Sequence, residues 1–190
     1  TSRSFPFDRL AIAANSALAT DVSMRDVCIV DEKFSARFSA RERSYVYAIL
    51  RRKDRSALLS TRAYHVYKPL EVDAMRAAAQ HIVGEHDFLS FCGTLPDGGI
   101  TVRTVKNLAI DEDGEIVRVR ISADGFLHRM VRTIVGTLVE CGMGRRDPDS
   151  IPVTIQTRSR KAAGLTAPAH GLYLAGVKYD GYDSYAEPCL

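Results

Sequence analysis

Residues 124–142, D-G-F-L-H-R-M-V-R-T-I-V-G-T-L-V-E-C-G, constrain the fold more than any other stretch of the chain. At about 100° per residue, Leu127, Val131, Ile134, Leu138 and Cys141 fall on one stripe with Met130 and Val135 beside it, the pattern of a helix lying on a core. Asp124 stands where an N-cap is expected, and Gly142 where a helix would be left through a left-handed turn. His128, Arg132 and Gly136, four apart, form a row along the edge of the apolar stripe. An arginine in such a row has two readings. It is a surface cation whose stem covers apolar neighbours, or a guanidinium aimed into a cleft at a carboxylate or phosphate, which its planar fork suits. Spacing leaves both open.

The rest of the chain reads as strands and helices that this helix can pack against. Residues 7–18, with Ser4 as cap and Pro6 in the first turn, predict a helix burying Leu10, Ala13, Ala14 and Ala17. The β-branched run 22–30 predicts a strand. Residues 42–52 predict another, with Arg43, Tyr45, Tyr47 and Ile49 on one face and Ser44, Val46, Ala48 and Leu50 on the other. Two tyrosines and an arginine on one strand face make either a half-buried sheet surface or a platform on which a nucleobase stacks. Residues 72–83 predict an amphipathic helix with Met75, Ala78, Ala79 and Ile82 inward and Gly84 as its stop.

Residues 101–110 and 115–121, joined by a turn at Asp113-Gly114, predict a hairpin that delivers the chain into the 124–142 helix. Asp147-Pro148 opens a short basic helix ending near Gly164, and a last strand reaches Tyr179. Strand, strand, helix in that order predicts an α+β fold: a largely antiparallel mixed sheet flanked by helices.

Composition narrows the class. With 190 residues, 46% of them hydrophobic and 26% charged, the chain can build one substantial core. A net charge of +3 does not by itself argue for nucleic acid, because a basic patch is a matter of distribution. Arginines and lysines do cluster at 37–55 and at 158–161. Cys28, Cys92, Cys141 and Cys189 are far apart, with no C-x-x-C pair, so neither zinc nor redox chemistry is indicated. With no leader and no long apolar run, a cytoplasmic setting with free thiols and no membrane segment is expected. His86-Asp87 is adjacent in sequence, but without a convergent nucleophile it reads as a turn held by side-chain hydrogen bonds.

Four blocks in order carry a resemblance that periodicity does not. They are A-R-F-S-A (36–40) followed by R-x-Y-x-Y (43–47), G-x-x-D-F (84–88), F-L-x-x-M-V-R-x-I-V-G (126–136) and T-A-P-x-x-G-L-Y-L (166–174). Together they resemble the TruA family of tRNA pseudouridine synthases. The resemblance implies a pseudouridine synthase fold, with residues 1–34 a remnant of its N-terminal subdomain and 35–190 its C-terminal subdomain. It implies that Arg132 pairs with the catalytic aspartate and that Tyr45 packs against the target base. Arg37, Arg43, Tyr47, His128 and His170 are then candidates for contact with RNA. The implied partner is the anticodon stem-loop of tRNA, the implied assembly a homodimer, and no cofactor or metal is called for.

In the family a strand and a G-R-T-D-x-G-V-H loop come before the matching region, and the loop's aspartate is the nucleophile. G-R-T-D does not occur in these 190 residues. The N-terminal part of the fold is therefore expected to be missing, and the chain alone to be inactive. Asp31, Asp87 and Asp124 lie near motifs, but none sits in a loop resembling the missing one. A non-catalytic RNA-binding module of the same fold is the alternative reading.

Overall fold

The structure, a computed structural model, describes residues 6, 9–186 and 188. The chain divides into two compact units, Thr1–Phe38 and Ser39–Leu190.

In the first unit a helix forms, α1 (Leu10–Ala17), but it buries none of its residues. The inward face expected at Leu10, Ala13, Ala14 and Ala17 is not there, because an apolar stripe is buried only where another element covers it. Asn15 ties the helix to the following segment, donating from Nδ2 to the Met24 carbonyl at 2.9 Å and accepting from the Met24 N–H at 2.6 Å. Residues 22–30 form no strand. Their β-branched side chains favour extended backbone, but a strand needs a neighbour to complete its ladder, and no described residue provides one. Ser4 and Phe7, where the expected cap and helix start fell, lie outside the described residues, as does Cys189.

The second unit is a seven-stranded sheet with helices on one face. Its strands are β1 (Glu42–Arg51), β2 (Tyr64–Val66), β3 (Gly84–Asp87), β4 (Val102–Asp113), β5 (Ile116–Ala123), β6 (Leu172–Tyr179) and β7 (Tyr182–Asp183). They run in the order β3-β4-β5-β1-β6-β7 with antiparallel pairing throughout, and β2 adds parallel to the end of β1 beyond β6. The hairpin β4–β5 matches expectation, with the turn one residue later: Asp113 pairs with Ile116, and Gly114 takes a left-handed φ of +58°. Alternation is clean on β5, where Val117, Val119, Ile121 and Ala123 are buried and Arg118, Arg120 and Ser122 face the other way. Two elements carried no sequence signal strong enough to predict them. Strand β3 falls where a turn was expected, and β2 has only three residues.

The helices α2 (Val72–Gln80), α3 (Met130–Gly142) and α4 (Ile151–Gln156) complete the unit. The main core joins Tyr47, Ile49, Met75, Phe88, Phe91, Val119, Ile121, Ile134 and Leu138, so α2 and α3 lie on the face of β1 that carries the tyrosines. The opposite face holds a smaller cluster of Ala48, Leu50 and Ala63. Helix α3 has its N-cap at Arg129, five residues later than the N-cap expected at Asp124. Arg129 at its N-cap is left-handed with φ +61°, so the chain enters through a tight turn, and Asp124 instead accepts a hydrogen bond from the Thr104 N–H at 3.1 Å.

Gly142 is the last residue of α3 and not its exit: a Cβ there would stand 2.7 Å from Leu70 and 2.8 Å from Met75, so its bareness lets α2 approach. The left-handed exit falls at Gly144, φ +69°.

Burial predicts thiol chemistry. Cys141 is buried on α3, which pushes its thiol up to about 11, whereas Cys28 is exposed. At about pH 8 iodoacetamide should label Cys28 readily and Cys141 only after unfolding, since the thiolate is the reactive form. Peptide mass mapping before and after denaturation checks this.

Candidate active site

Of the thirteen residues of α3, eleven are buried, and the two that are not are Arg132 and Glu140. They stand eight residues apart with Gly136 between them, so all three lie in one row on the helix surface. The T-A-P segment, 164–168, lies along this row. Arg132 and Ala167 bond reciprocally: the Ala167 N–H donates to the Arg132 carbonyl at 3.0 Å, and Arg132 Nε donates to the Ala167 carbonyl at 2.7 Å. Four residues on, a Cβ at Gly136 would sit 1.7 Å from the Leu165 carbonyl oxygen, so only glycine lets the segment lie down. At the far end Glu140 accepts from the Leu165 N–H at 3.0 Å, and Thr137 Oγ1 accepts from the Gly164 N–H at 2.9 Å.

The row expected from the sequence was His128, Arg132 and Gly136. His128 belongs to the turn before the helix, and Glu140 takes its place one turn beyond Gly136.

Arg132 is partly buried, and among the described residues it makes no ion pair. Nε is committed to Ala167, so the two terminal nitrogens remain for an anion. Glu140, by contrast, has its own cation, Arg146, at 3.2 Å.

On β1, Tyr45 and Tyr47 face α3, and the structure treats them differently. Tyr45 is partly buried, and its ring meets Phe126 edge-on with centroids 5.2 Å apart. Burial raises the Tyr45 hydroxyl above its usual value and the neighbouring Arg43 works the other way, so it is a neutral phenol near pH 7. Phe126 was not picked out as a site residue, although it opens the F-L-x-x-M-V-R word; the signal was present as a motif position without a partner. Tyr47 is 0% exposed and its hydroxyl donates to the Pro168 carbonyl at 2.7 Å. A ring with no exposed surface offers no face to a base, so Tyr47 serves the fold and not direct stacking.

The remaining candidates are spread more widely. Arg43 donates to the carbonyls of Ala40 and Asp124 at 2.9 and 2.7 Å, bracing the segment that leads to Phe126. His128 is exposed, with Nδ1 3.0 Å from Thr94 Oγ1. His170 Nε2 lies 3.1 Å from the Ala63 carbonyl. Arg37 belongs to the first unit and sets its guanidinium over the Phe38 ring at 5.2 Å.

The acids near motifs all have structural work. Asp87 caps the turn at Leu89, accepts from Thr101 Oγ1 at 2.6 Å and pairs with Arg158 at 3.0 Å. Asp124 holds Thr104, and Asp31 accepts from the Lys33 N–H. Among the described residues no group of three or more His, Cys, Asp or Glu is placed to hold a metal ion, and no helix is long and apolar enough to cross a membrane.

The sequence model of one family, described as tRNA pseudouridine synthase, matches residues 78–180, a span that takes in α3 and the T-A-P segment. Among curated relatives, tRNA pseudouridine synthase A of Caldicellulosiruptor bescii is 41% identical over 94% of this chain and 73% of its own length. The Bacillus subtilis (strain 168) enzyme of the same name is 40% identical over 95% and 73%, and that of Caulobacter sp. (strain K31) 39% over 94% and 72%. The chain belongs to the TruA family of tRNA pseudouridine synthases.

The close approach at Gly136 yields a sharp expectation. Gly136→Ala drives a methyl group into a backbone carbonyl that cannot rotate away, so the 164–168 segment must lift or the helix must shift. Overpacking of this kind costs about 1–3 kcal/mol. Urea unfolding should show that loss, and limited proteolysis should open a new cleavage site in the segment.

Proposed function

We propose that the protein acts on tRNA as a pseudouridine synthase, isomerising uridine to pseudouridine in the anticodon stem-loop. The observation that supports this most is Arg132: a partly buried guanidinium on the core helix, held at Nε, with no acidic partner among the described residues. A cation held partly out of water favours the ionised form of a carboxylate brought to it. In the family that carboxylate is the aspartate of G-R-T-D, a motif these 190 residues do not contain.

The chemistry the site serves is a glycosidic exchange. The aspartate attacks the target nucleotide and the carbon–nitrogen bond to uracil breaks; the base rotates, its C5 bonds to the sugar as the bond to the aspartate is released, the C5 proton is lost and the freed N1 takes up a proton. No electrons are gained or lost overall, so no redox cofactor is required. Arg132 keeps the aspartate ionised and oriented. Tyr45, buttressed by Phe126, packs against the flipped-out base. Arg37, His128 and His170 are assigned to contacts with the RNA, which are sequence-independent and weaken with salt. Assembly as a homodimer belongs to the same reading.

Release of tritium from tRNA whose uridines are tritiated at C5 tests it. The 190-residue chain alone is expected to release none, and the same chain preceded by a segment bearing G-R-T-D to release it from anticodon-arm uridines. In that longer protein Arg132→Ala should lower turnover by about two orders of magnitude or more, the scale on which stranding one partner of a buried pair costs roughly 3–5 kcal/mol. Tyr45→Phe, which keeps the ring, should cost far less than Tyr45→Ala. Tritium release by the 190-residue chain would sink the idea that its nucleophile lies elsewhere. Salt-sensitive tRNA binding without release in the longer protein would favour a non-catalytic RNA-binding module.

A further inference from the structure

Tyr47 is the largest fully buried side chain of the core, and it is the one whose polar atom reaches the T-A-P segment from the sheet side. Its hydroxyl holds the carbonyl of Pro168. The preceding residue, Ala167, holds Arg132 through both its N–H and its carbonyl. The segment is thus gripped from two sides, by α3 and by β1. A close approach reinforces each grip: Gly136 lies under Leu165, and a Cβ at Gly171 would stand 2.8 Å from the Ala48 carbonyl and from the Tyr47 ring. Burial pushes the Tyr47 hydroxyl well above its ordinary range, with Tyr64 adding to the effect and the Arg132 charge opposing it. That hydroxyl therefore remains a donor near neutral pH.

We propose that Tyr47 is a positioning residue for Arg132, acting through the backbone of Pro168 and Ala167 to fix the guanidinium so that an anion meets it end-on. A carboxylate can engage arginine side-on, through Nε and one terminal nitrogen, or end-on, through both terminal nitrogens. Nε is occupied by the Ala167 carbonyl, which removes the side-on mode and leaves the end-on pair. The plane of that pair is set by where the Ala167 carbonyl points. On the α3 side this carbonyl is held by the bonds of Gly164, Leu165 and Ala167 to the helix, and on the β1 side by the bond of its neighbour Pro168 to a buried tyrosine. The functional meaning rests on the reading of Arg132 given above; the mechanical coupling does not.

The coupling is measurable in the 190-residue chain without RNA or a nucleophile, so its failure and failure of the catalytic reading are separate outcomes. The probe is the Arg132 Nε–Hε resonance in the nitrogen–proton spectrum, assigned by its disappearance in Arg132→Lys. Bonded to a carbonyl in a partly buried site, this proton should exchange slowly with solvent. Tyr47→Phe keeps the ring and removes one hydrogen bond. It should shift the resonance and speed its exchange about five- to tenfold, the scale of one net hydrogen bond.

Tyr173→Phe is the matched control, because the Tyr173 hydroxyl likewise donates to a loop carbonyl, that of Arg62 at 2.6 Å, away from Arg132. It should leave the resonance unmoved even if it lowers the melting temperature as much. A resonance that keeps its position and exchange rate in Tyr47→Phe, or that moves equally in Tyr173→Phe, overturns the proposal. If Tyr47→Phe does not fold, Gly136→Ala displaces the same segment from the helix side. Here too an unmoved Arg132 signal in the folded variant overturns it.

Discussion

The fold turns on the contact between one row of α3 and the backbone of residues 164–168. A helix buried on almost every side has to satisfy whatever polar groups it carries, since an unpaired polar group taken from water costs more than a hydrogen bond returns. Arg132 and Glu140 solve this by bonding to main-chain groups of the segment that lies over them. Thr137, further round the helix, does the same for the Gly164 N–H. The segment in turn obtains partners for N–H and carbonyl groups that irregular backbone would otherwise leave open. Gly136 is what makes the distance short enough for both.

The arginines of the second unit divide by the partner they meet, and Arg132, like Arg43, Arg103 and Arg160, meets a backbone carbonyl. Arg41, Arg51, Arg52, Arg76, Arg118, Arg120, Arg146 and Arg158 each meet a carboxylate. Several of these pairs lie on the exposed side of the sheet, where screening leaves them little weight in stability. Arg132 sits on the main core helix and meets a carbonyl instead. A carbonyl orients a guanidinium without neutralising it, so the full positive charge is retained and aimed. In a surface ion pair both charge and direction are given up to the partner.

What the sequence disclosed follows from the same physics. Period-2 alternation made β5 legible, because it has one face on the core and one turned away from it, whereas β1, buried on both faces over 46–50, was legible from its β-branched and aromatic residues. The stripe of α3 was legible for its buried positions. Its start was not, because the entry turn is made by Arg129 in a left-handed conformation, which no residue type announces. The strand expected at 22–30 and the buried face expected on α1 both failed for want of a partner: propensity and periodicity report what a segment could bury, and the partner decides whether it does.

At the site, R-x-Y-x-Y showed that the two tyrosines share a face and concealed that they differ in depth. Tyr45 lies toward the start of the strand beside Phe126, and Tyr47 lies where the T-A-P segment crosses.

That difference in depth bears on how the site keeps its geometry. Tyr45 is only partly buried and meets Phe126 edge-on, so its ring keeps some exposed surface, as the reading proposed above requires. Tyr47 is one pleat repeat further into the core. Accessibility is lost there, and rigidity is gained in return: a phenol enclosed on all sides has one rotamer and one acceptor. Placing the two rings two residues apart on one strand ties the mobile requirement to the immobile one through the stiff backbone between them. On the reading proposed above, the same strand that presents a ring to the base anchors, through Pro168 and Ala167, the guanidinium meant for the carboxylate. A displacement of β1 relative to α3 would strain this tie, because Arg132 itself is carried by α3.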